Sequence, residues 1–301
     1  MPSPRELRLR VRSIKNLAQV TRALETVSAS YVRKSILADQ ATRPYADKAW
    51  QVLVHLARQP GHANLHPLLA EREQVRKVLV LMVSSDRGLA GAYNVNILRT
   101  TLHHFDAFEL PVSYVTVGRK GRDLLLRRRK DVIAEFSGLP TPPSYNDVSA
   151  IGKLVVGDFQ QQIYDQVYIA FTRFKNMVVQ TPVIRKLLPL DVSDTGDESQ
   201  QRQETGNQQI SHSVFVYEPD QGELLNEIVP RFTALQIYQA ILSAQASEHA
   251  ARMVAMRNAT DNANELVGNL QLEYNKLRQN IITNDMLDIA GGANAQDQGR
   301  A

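Results

Sequence analysis

Cysteine is absent from all 301 residues. That removes disulfides, thiolate metal sites and cysteine nucleophiles together, and it fits a reducing compartment. No apolar run approaches the roughly 20 residues that a membrane-spanning helix needs. The first residues, "MPSPRELRLRVRSIKN", are basic but lack the apolar stretch of a signal peptide. The phosphate loop G-x-x-x-x-G-K-[ST] is missing, so nucleotide hydrolysis by this chain alone is not expected. The dinucleotide fingerprint G-x-G-x-x-G is missing too, as is the metalloprotease motif H-E-x-x-H. From Pro4 to about Arg58 there is no glycine, and Pro44 is the one proline inside the stretch.

What is present is ordinary in bulk and uneven in placement. Hydrophobic residues make up 43% and charged residues 22%, as in a folded globular chain with a real core. The net charge of +4 conceals opposite ends. Residues 1–60 hold 11 Lys and Arg against 4 Asp and Glu, whereas residues 212–301 hold 6 against 11. A basic end suggests nucleic acid or an acidic surface as partner. The acidic far end suggests instead that the two ends pair with each other.

Two rows of residues in the glycine-free stretch step by fours and threes: Leu7, Val11, Ile14, Ala18, Thr21, and Leu17, Val20, Leu24, Val27, Tyr31. This is coiled-coil spacing. About 50 residues at ~1.5 Å each would form a rod of roughly 75–80 Å, with Pro44 kinking or locally breaking it. "QPGHANLHP" ends the pattern. The texture then changes. "KVLVLMVSSD", "PVSYVTVG", "DVIAEF", "QVYIAFTRF" and "TPVIRKLLPL" read as strands, separated by the helical "VNILRTTLHHF", "RKGRDLLLRRR" and "VSAIGKLVVGDFQQQI". Strand–helix alternation implies an α/β layer with parallel strands. Residues 191–211 are polar and acidic and read as an exposed, disordered loop, and "SHSVFVYEP" as a last edge strand. From about Leu224 helix returns, with Ala263, Leu266, Val267, Leu270, Tyr274, Leu277 and Ile281 on one row and Gly291–Gly292 stopping it. The expected architecture is an α/β domain (61–220) inserted between an N-terminal helix (1–60) and a C-terminal helix (221–290), with a short tail (291–301). The two helices form an antiparallel coiled coil.

Sites of chemistry are weak in this reading. "DRGLAG", with Asp86, Arg87, Gly88 and Gly91, follows a strand and precedes a helix, where a phosphate could sit. A tight strand-to-helix turn is the plainer reading, and no cofactor or metal is expected. His62 and His66 have ligand spacing but lie in a Pro- and Gly-flanked loop; His103–His104 and His249 lack partners at ligand spacing. "RRRK", Arg127 to Lys130, could touch phosphate or anionic lipid, and a solvated helix end explains it as well. Met253 and Met256 read as packing residues. The stretch "SEHAARMVAMRNATDNANEL", Ser247–Leu266, is the odd one. It has too few large apolar residues for a helix held by a globular core. A partner helix explains the alanines, and the remaining polarity reads as a surface for something outside the chain.

"SIKNLAQVTRALETVSASYVRKS" (Ser13–Ser35), "RPYA" (Arg43–Ala46), "SSDRGLAGAYN" (Ser84–Asn94), "SEHAARMVAMRNATDNA" (Ser247–Ala263) and "YNKLRQNIIT" (Tyr274–Thr283) closely resemble, in order and separation, the γ subunit of the F-type ATP synthase. The bacterial form is favoured, because the helix starts close to Met1 and no cysteine-bearing insert is present. The resemblance implies a rotating central shaft that carries no catalytic site of its own. It would turn inside a ring of α and β subunits, with the α/β domain and the ε subunit resting on the membrane c ring. Its place would be peripheral, on the cytoplasmic face of the bacterial cell membrane.

The same resemblance implies which residues meet the stator. Arg278, Gln279 and Thr283 match positions that touch the β subunits, and Asp285 stands where glutamate is usual. Arg33 and Lys34 match a basic pair beside an acidic element of the β subunits, and Arg252 matches an arginine of the C-terminal helix. Leu24 and Thr26 occupy positions usually methionine, and Tyr31 one usually lysine. Ala90 and Ala92 replace a common cysteine and a frequent glycine in the turn. A basic long-helix nucleic-acid binder is the alternative function. Against it, the first helix is nearly free of aromatics, and the acidic end would neutralise it. An α/β dehydrogenase with helical extensions would require nicotinamide binding.

Overall fold

A computed structural model describes residues 3–57, 67–70, 72, 74–190 and 221–298, without the side chains of 53–57, 221–226, 288 and 290–298. His62 and His66, the 191–211 loop and the "SHSVFVYEP" strand lie outside the described residues. The elements, in order, are α1 (Pro4–Ala57), β1 (Val78–Val83), α2 (Tyr93–Phe105), β2 (Val112–Val117), α3 (Arg119–Arg127) and β3 (Asp131–Phe136). They continue with α4 (Tyr145–Gln160), β4 (Gln166–Phe174), β5 (Gln180–Leu188) and α5 (Gln221–Gln298). Two compact units divide the chain: Met1–Ser28 with Met253–Ala301, and Ala29–Arg252.

The larger unit is built on a five-stranded sheet of order β3-β2-β1-β4-β5. β1 is central because it is apolar on both faces. Leu79, Leu81 and Val83 point into one core with Val148, Ile151 and Val155 of α4 and Phe232, Leu235 and Ile241 of α5. Val78, Val80 and Met82 point into the other with Ile97, Leu98 and Phe105 of α2 and Leu125 of α3. A strand covered on both sides reads as a continuous apolar run, as "VLVLMV" does. β1 to β4 are mutually parallel, but β5 pairs antiparallel with β4, which corrects the all-parallel expectation. The reason is local. Only residues 175–179 separate β4 from β5, too few for a crossover, so the chain must double back. Asn176 makes that turn, its Oδ1 accepting from the Val178 and Val179 N–H groups at 2.9 and 2.7 Å.

In the smaller unit, the start of α1 and the later part of α5 run antiparallel. Thr21 meets Thr260, and Glu25 meets Arg257, so the numbers rise on one helix as they fall on the other. Of the two rows read in α1, the first faces the partner: Leu7, Ala18 and Thr21 are buried. In the second row Leu17, Val20 and Val27 are exposed. Steps of four and three fit either row; which one faces inward depends on the partner helix. On α5 the buried line is Met256, Thr260, Ala263 and Val267, while Leu266 lies outside it. In this narrow seam the small or polar Ala18, Thr21, Thr260 and Ala263 lie among the larger apolar Leu7, Met256 and Val267. Thr21 and Thr260 share a buried hydroxyl–hydroxyl hydrogen bond of 2.7 Å within it.

α1 ends where its sequence pattern ends, and α5 runs further than its sequence suggested. α1 passes through Pro44 without a break; a proline removes one N–H and crowds one carbonyl, and helix-forming residues flank it on both sides. α5 continues through Gly291–Gly292 to Gln298. Glycine ends a helix when the following chain turns away in a left-handed conformation. "ANAQDQ" contains no proline or β-branched residue to force that turn.

Candidate functional site

The turn "SSDRGLAGAYN" is a knot of satisfied polar groups. Ser84 Oγ donates to the carbonyls of Val117 and Gly118 and accepts from the Gly121 N–H at 2.9 Å. Asn94 Oδ1 accepts from the Ser85 N–H at 3.0 Å, and Ser85 Oγ donates to the Arg87 carbonyl at 2.6 Å. Asp86 spreads its carboxylate across two other loops, accepting from the Arg119 N–H at 3.1 Å and the Gly138 N–H at 2.8 Å. One aspartate therefore ties together the loops that follow β1, β2 and β3. The glycines play unequal parts. Gly91 takes a left-handed φ of 56°, as does Leu89 at 63°, whereas Gly88 has open space around it. The backbone N–H groups of Ser85, Arg119 and Gly121 around the turn are bound by protein oxygens.

In a sheet of this order the strand sequence reverses between β1 and β4, and ligands of such folds bind outside the carboxyl ends of the strands at that point. Here α5 fills the place. Ser247 Oγ donates to the Thr172 carbonyl near the end of β4 at 3.0 Å. Tyr93 Oη, at the start of α2, donates to the Ala244 carbonyl at 3.2 Å. Arg252 donates to the carbonyls of Gly88 and Arg87 at 3.3 and 3.4 Å, both long contacts. Its short contact is with Glu248 Oε1, at 2.6 Å.

This cluster is nearly dry. Arg252 and His249 are each 9% exposed and Ser247 is fully covered. Desolvation pushes the Glu248 carboxyl above the usual carboxylate range, with the neighbouring Arg252 charge working against it. Desolvation, then the same Arg252 charge, pushes His249 down to about 4. Arg252 Nη1 lies 3.1 Å from His249 Nδ1. A guanidinium can only donate, so Nδ1 is the acceptor and the ring is neutral with its proton on Nε2. The imidazole stacks on Tyr31 of α1 at 4.9 Å between centroids, and Lys34 Nζ lies 5.7 Å from the centre of the Tyr31 ring. Tyr31, standing where the resemblance implied a lysine, is thus an aromatic lid on a histidine.

Much of the polarity of Ser247–Leu266 is therefore used inside the chain. Ser247, Glu248, His249 and Arg252 serve the joint with the α/β layers, and Thr260 serves the helix pair. Reading that polarity as wholly outward missed this. The one signal in the sequence was the Glu248–Arg252 spacing of four, which puts opposite charges on one helix face.

The remaining implied stator residues are outward-facing. Arg33, Lys34, Arg278, Gln279, Thr283 and Asp285 are all exposed. Arg252 differs from them, since its hydrogen bonds are spent within the chain. Of the basic cluster Arg127–Lys130, Lys130 pairs with Asp106 at 2.7 Å. His104 belongs to an aromatic group with Phe105, Phe108 and Tyr168. Among the described residues no group of His, Asp and Glu has metal-site geometry, and no helix is long and apolar enough to cross a membrane.

A family model described as ATP synthase matches residues 3–296. A protein of Dehalococcoides mccartyi (strain CBDB1) named ATP synthase gamma chain is 42% identical over 296 residues, 98% of this chain and 99% of its own length. The protein of the same name from Roseiflexus castenholzii is 43% identical over 298 residues, again covering 98% and 99%. Among solved structures, a chain of the Euglena gracilis mitochondrial ATP synthase (OSCP/F1/c-ring, rotational state 3) shares the fold. It has a TM-score of 0.68 at 19% identity, covering 99% of this chain and 96% of that one. Nothing in these likenesses supports a nucleic-acid binder. A near full-length match to γ chains, on a sheet domain set between two long helices, places this chain in the ATP synthase γ subunit family.

Proposed function

We propose that this chain is the central rotor of a bacterial, proton-translocating ATP synthase and has no catalytic site of its own. The observation that carries the reading is the 42–43% identity to γ chains across nearly their whole length. Its partners are the α and β subunits of the head, the ε subunit and the membrane c ring, at the cytoplasmic face of the cell membrane. Rotation of the c ring turns the α/β domain, and the helices then present a changing face to each β subunit. Each β site binds nucleotide differently according to the face it meets, so the turning face shifts its population of states. Arg33, Lys34, Arg278, Gln279, Thr283 and Asp285 make the rotor–stator contacts, and their exposure leaves them free to do so. Arg252 contributes from beneath, through its hold on the turn.

Affinity purification of the tagged chain from gently solubilised host membranes, followed by intact-complex mass spectrometry, tests this. One copy of the chain with three larger ATP-binding pairs and a membrane ring is the expected result. Recovery of the chain alone, or with nucleic acid, would sink the proposal.

A further inference from the structure

Between Tyr238 and Arg252, α5 is held by more than apolar burial. Tyr238 Oη donates to the Pro143 carbonyl in the loop before α4, at 3.0 Å. The Phe174 N–H at the end of β4 donates to Ser243 Oγ, at 3.0 Å. With the Tyr93–Ala244 and Ser247–Thr172 bonds, four buried or part-buried bonds between residues 238 and 247 join a side chain on one element to the main chain of another, beside an exposed fifth from Gln245 Nε2 to the Pro140 carbonyl at 3.0 Å. Main-chain groups of a packed sheet and its loops cannot swing to follow a moving helix as surface side chains can.

The placement around the helix is the telling point. At ~100° per residue, Tyr238 and Ser247 lie about 180° apart on the helix circumference, with positions 243 and 244 on either side of Ser247. Apolar burial is non-directional and opposes a small turn of a helix only weakly. A hydrogen bond weakens steeply as its angle closes. Bonds on opposite sides of one helix cannot all keep their geometry if it turns.

We infer that these four hydrogen bonds key α5 against rotation about its own axis, making residues 238–247 the place where torque passes between the α/β domain and the helix. The inference rests on the rotor reading above. It gives the buried polar groups of this stretch a mechanical task distinct from any stator contact. Beyond the key, α5 continues as one helix to Gln298, so twist introduced there is carried onward.

The test uses the assembled complex. The triple variant Tyr93→Phe, Tyr238→Phe, Ser247→Ala deletes three of the four bonds and keeps the apolar volume almost intact. Because this chain has no cysteine, a single Leu126→Cys on the exposed part of α3 gives one attachment point on it for a bead, with any exposed cysteines of the other subunits replaced by serine. With the head immobilised and nucleotide removed, the angular fluctuation of the bead reports rotor stiffness. The expected result is a variance raised at least about twofold over the parent, with ATP hydrolysis of the complex little changed. Equal variance in parent and variant overturns the inference, even if the variant melts at a lower temperature, since that outcome shows a folding role only. If the parent complex does not rotate with ATP, the rotor reading falls and the inference falls with it. If the triple variant does not assemble, Tyr238→Phe and Ser247→Ala are measured singly, and unchanged variance in both overturns it.

Discussion

At the scale of single residues, buried charge does the most. Arg72 donates to Asp165 Oδ1 at 2.5 Å and to the Phe159 carbonyl at 2.7 Å, while Asp165 Oδ2 accepts from the Arg76 and Lys77 N–H groups at 2.7 and 3.2 Å. Burial opposes the charge on Asp165, but Arg72 and the two N–H groups outweigh it and hold the carboxyl below its usual range. Replacing Asp165 by Asn leaves the half-buried Arg72 without its counter-charge, and should cost roughly 3 kcal/mol in urea unfolding. His249 predicts a pH effect with a definite sign. Its native pKa is pushed from 6.5 to about 4, so the unfolded chain binds the extra proton between those values. Stability from this group is therefore full above pH 6.5 and is lost as pH falls towards 4, by roughly 3 kcal/mol in total. The charged neighbours that oppose protonation are Arg252 beside the ring and Lys34 beyond Tyr31; Glu248 favours it. His249→Gln should flatten the stability profile between pH 6.5 and 4.5 relative to the parent, as measured by denaturant titration at each pH. A profile of unchanged slope would refute the assignment. None of this was legible from the residue types alone: a lone histidine with no partner at ligand spacing gives no hint that an aromatic ring and an arginine enclose it.

At the scale of elements, what could be read was what is periodic and local. β3 and β4 match their sequence segments, residues 131–136 and 166–174. The start of α4 was read three residues late, at Val148 rather than Tyr145, because its signal is a cap and not a period. Ser144 Oγ accepts from the Asp147 N–H at 3.3 Å, and Asp147 returns a carboxylate oxygen to the Ser144 N–H at 2.8 Å. Ser144→Ala should lower stability by about 1 kcal/mol. The seam between α1 and α5 was half legible. Its spacing could be seen, but two rows shared that spacing, and the row with Leu17, Val20 and Val27 proved to be outside. Its central contact is the Thr21–Thr260 pair, of a kind that fixes register between helices. A double-mutant cycle with Thr21→Val and Thr260→Val should give a coupling energy of roughly 0.5–1 kcal/mol. Zero coupling would mean that the two hydroxyls merely coexist. The Glu25–Arg257 pair also reverses the bulk charges, with acid from the basic helix and base from the acidic one. Net charge by segment was thus a poor guide to which residues meet.

At the scale of the whole chain, the family was legible because five motifs keep their order and spacing, and the inserted α/β domain because its texture differs from that of the flanking helices. The antiparallel β5 was not, since strand direction depends on connection length and not on strand composition. The buried line on α5 in the smaller unit has a further consequence, which concerns counting. Every residue of α5 advances the helix by ~100°, so Met256, Thr260, Ala263 and Val267 share one face only because of the spacing between them. The number of residues between them is therefore itself information, as firmly constrained as any side chain. Inserting one alanine after Asp261 changes no contact residue, yet it turns Ala263 and Val267 out of phase with Met256 and Thr260 on the face that meets α1. We expect that insertion to lower the melting temperature more than any single alanine substitution on the exposed face of the same segment, as calorimetry would show. In such a helix evolution can alter the letters far more freely than it can alter the count.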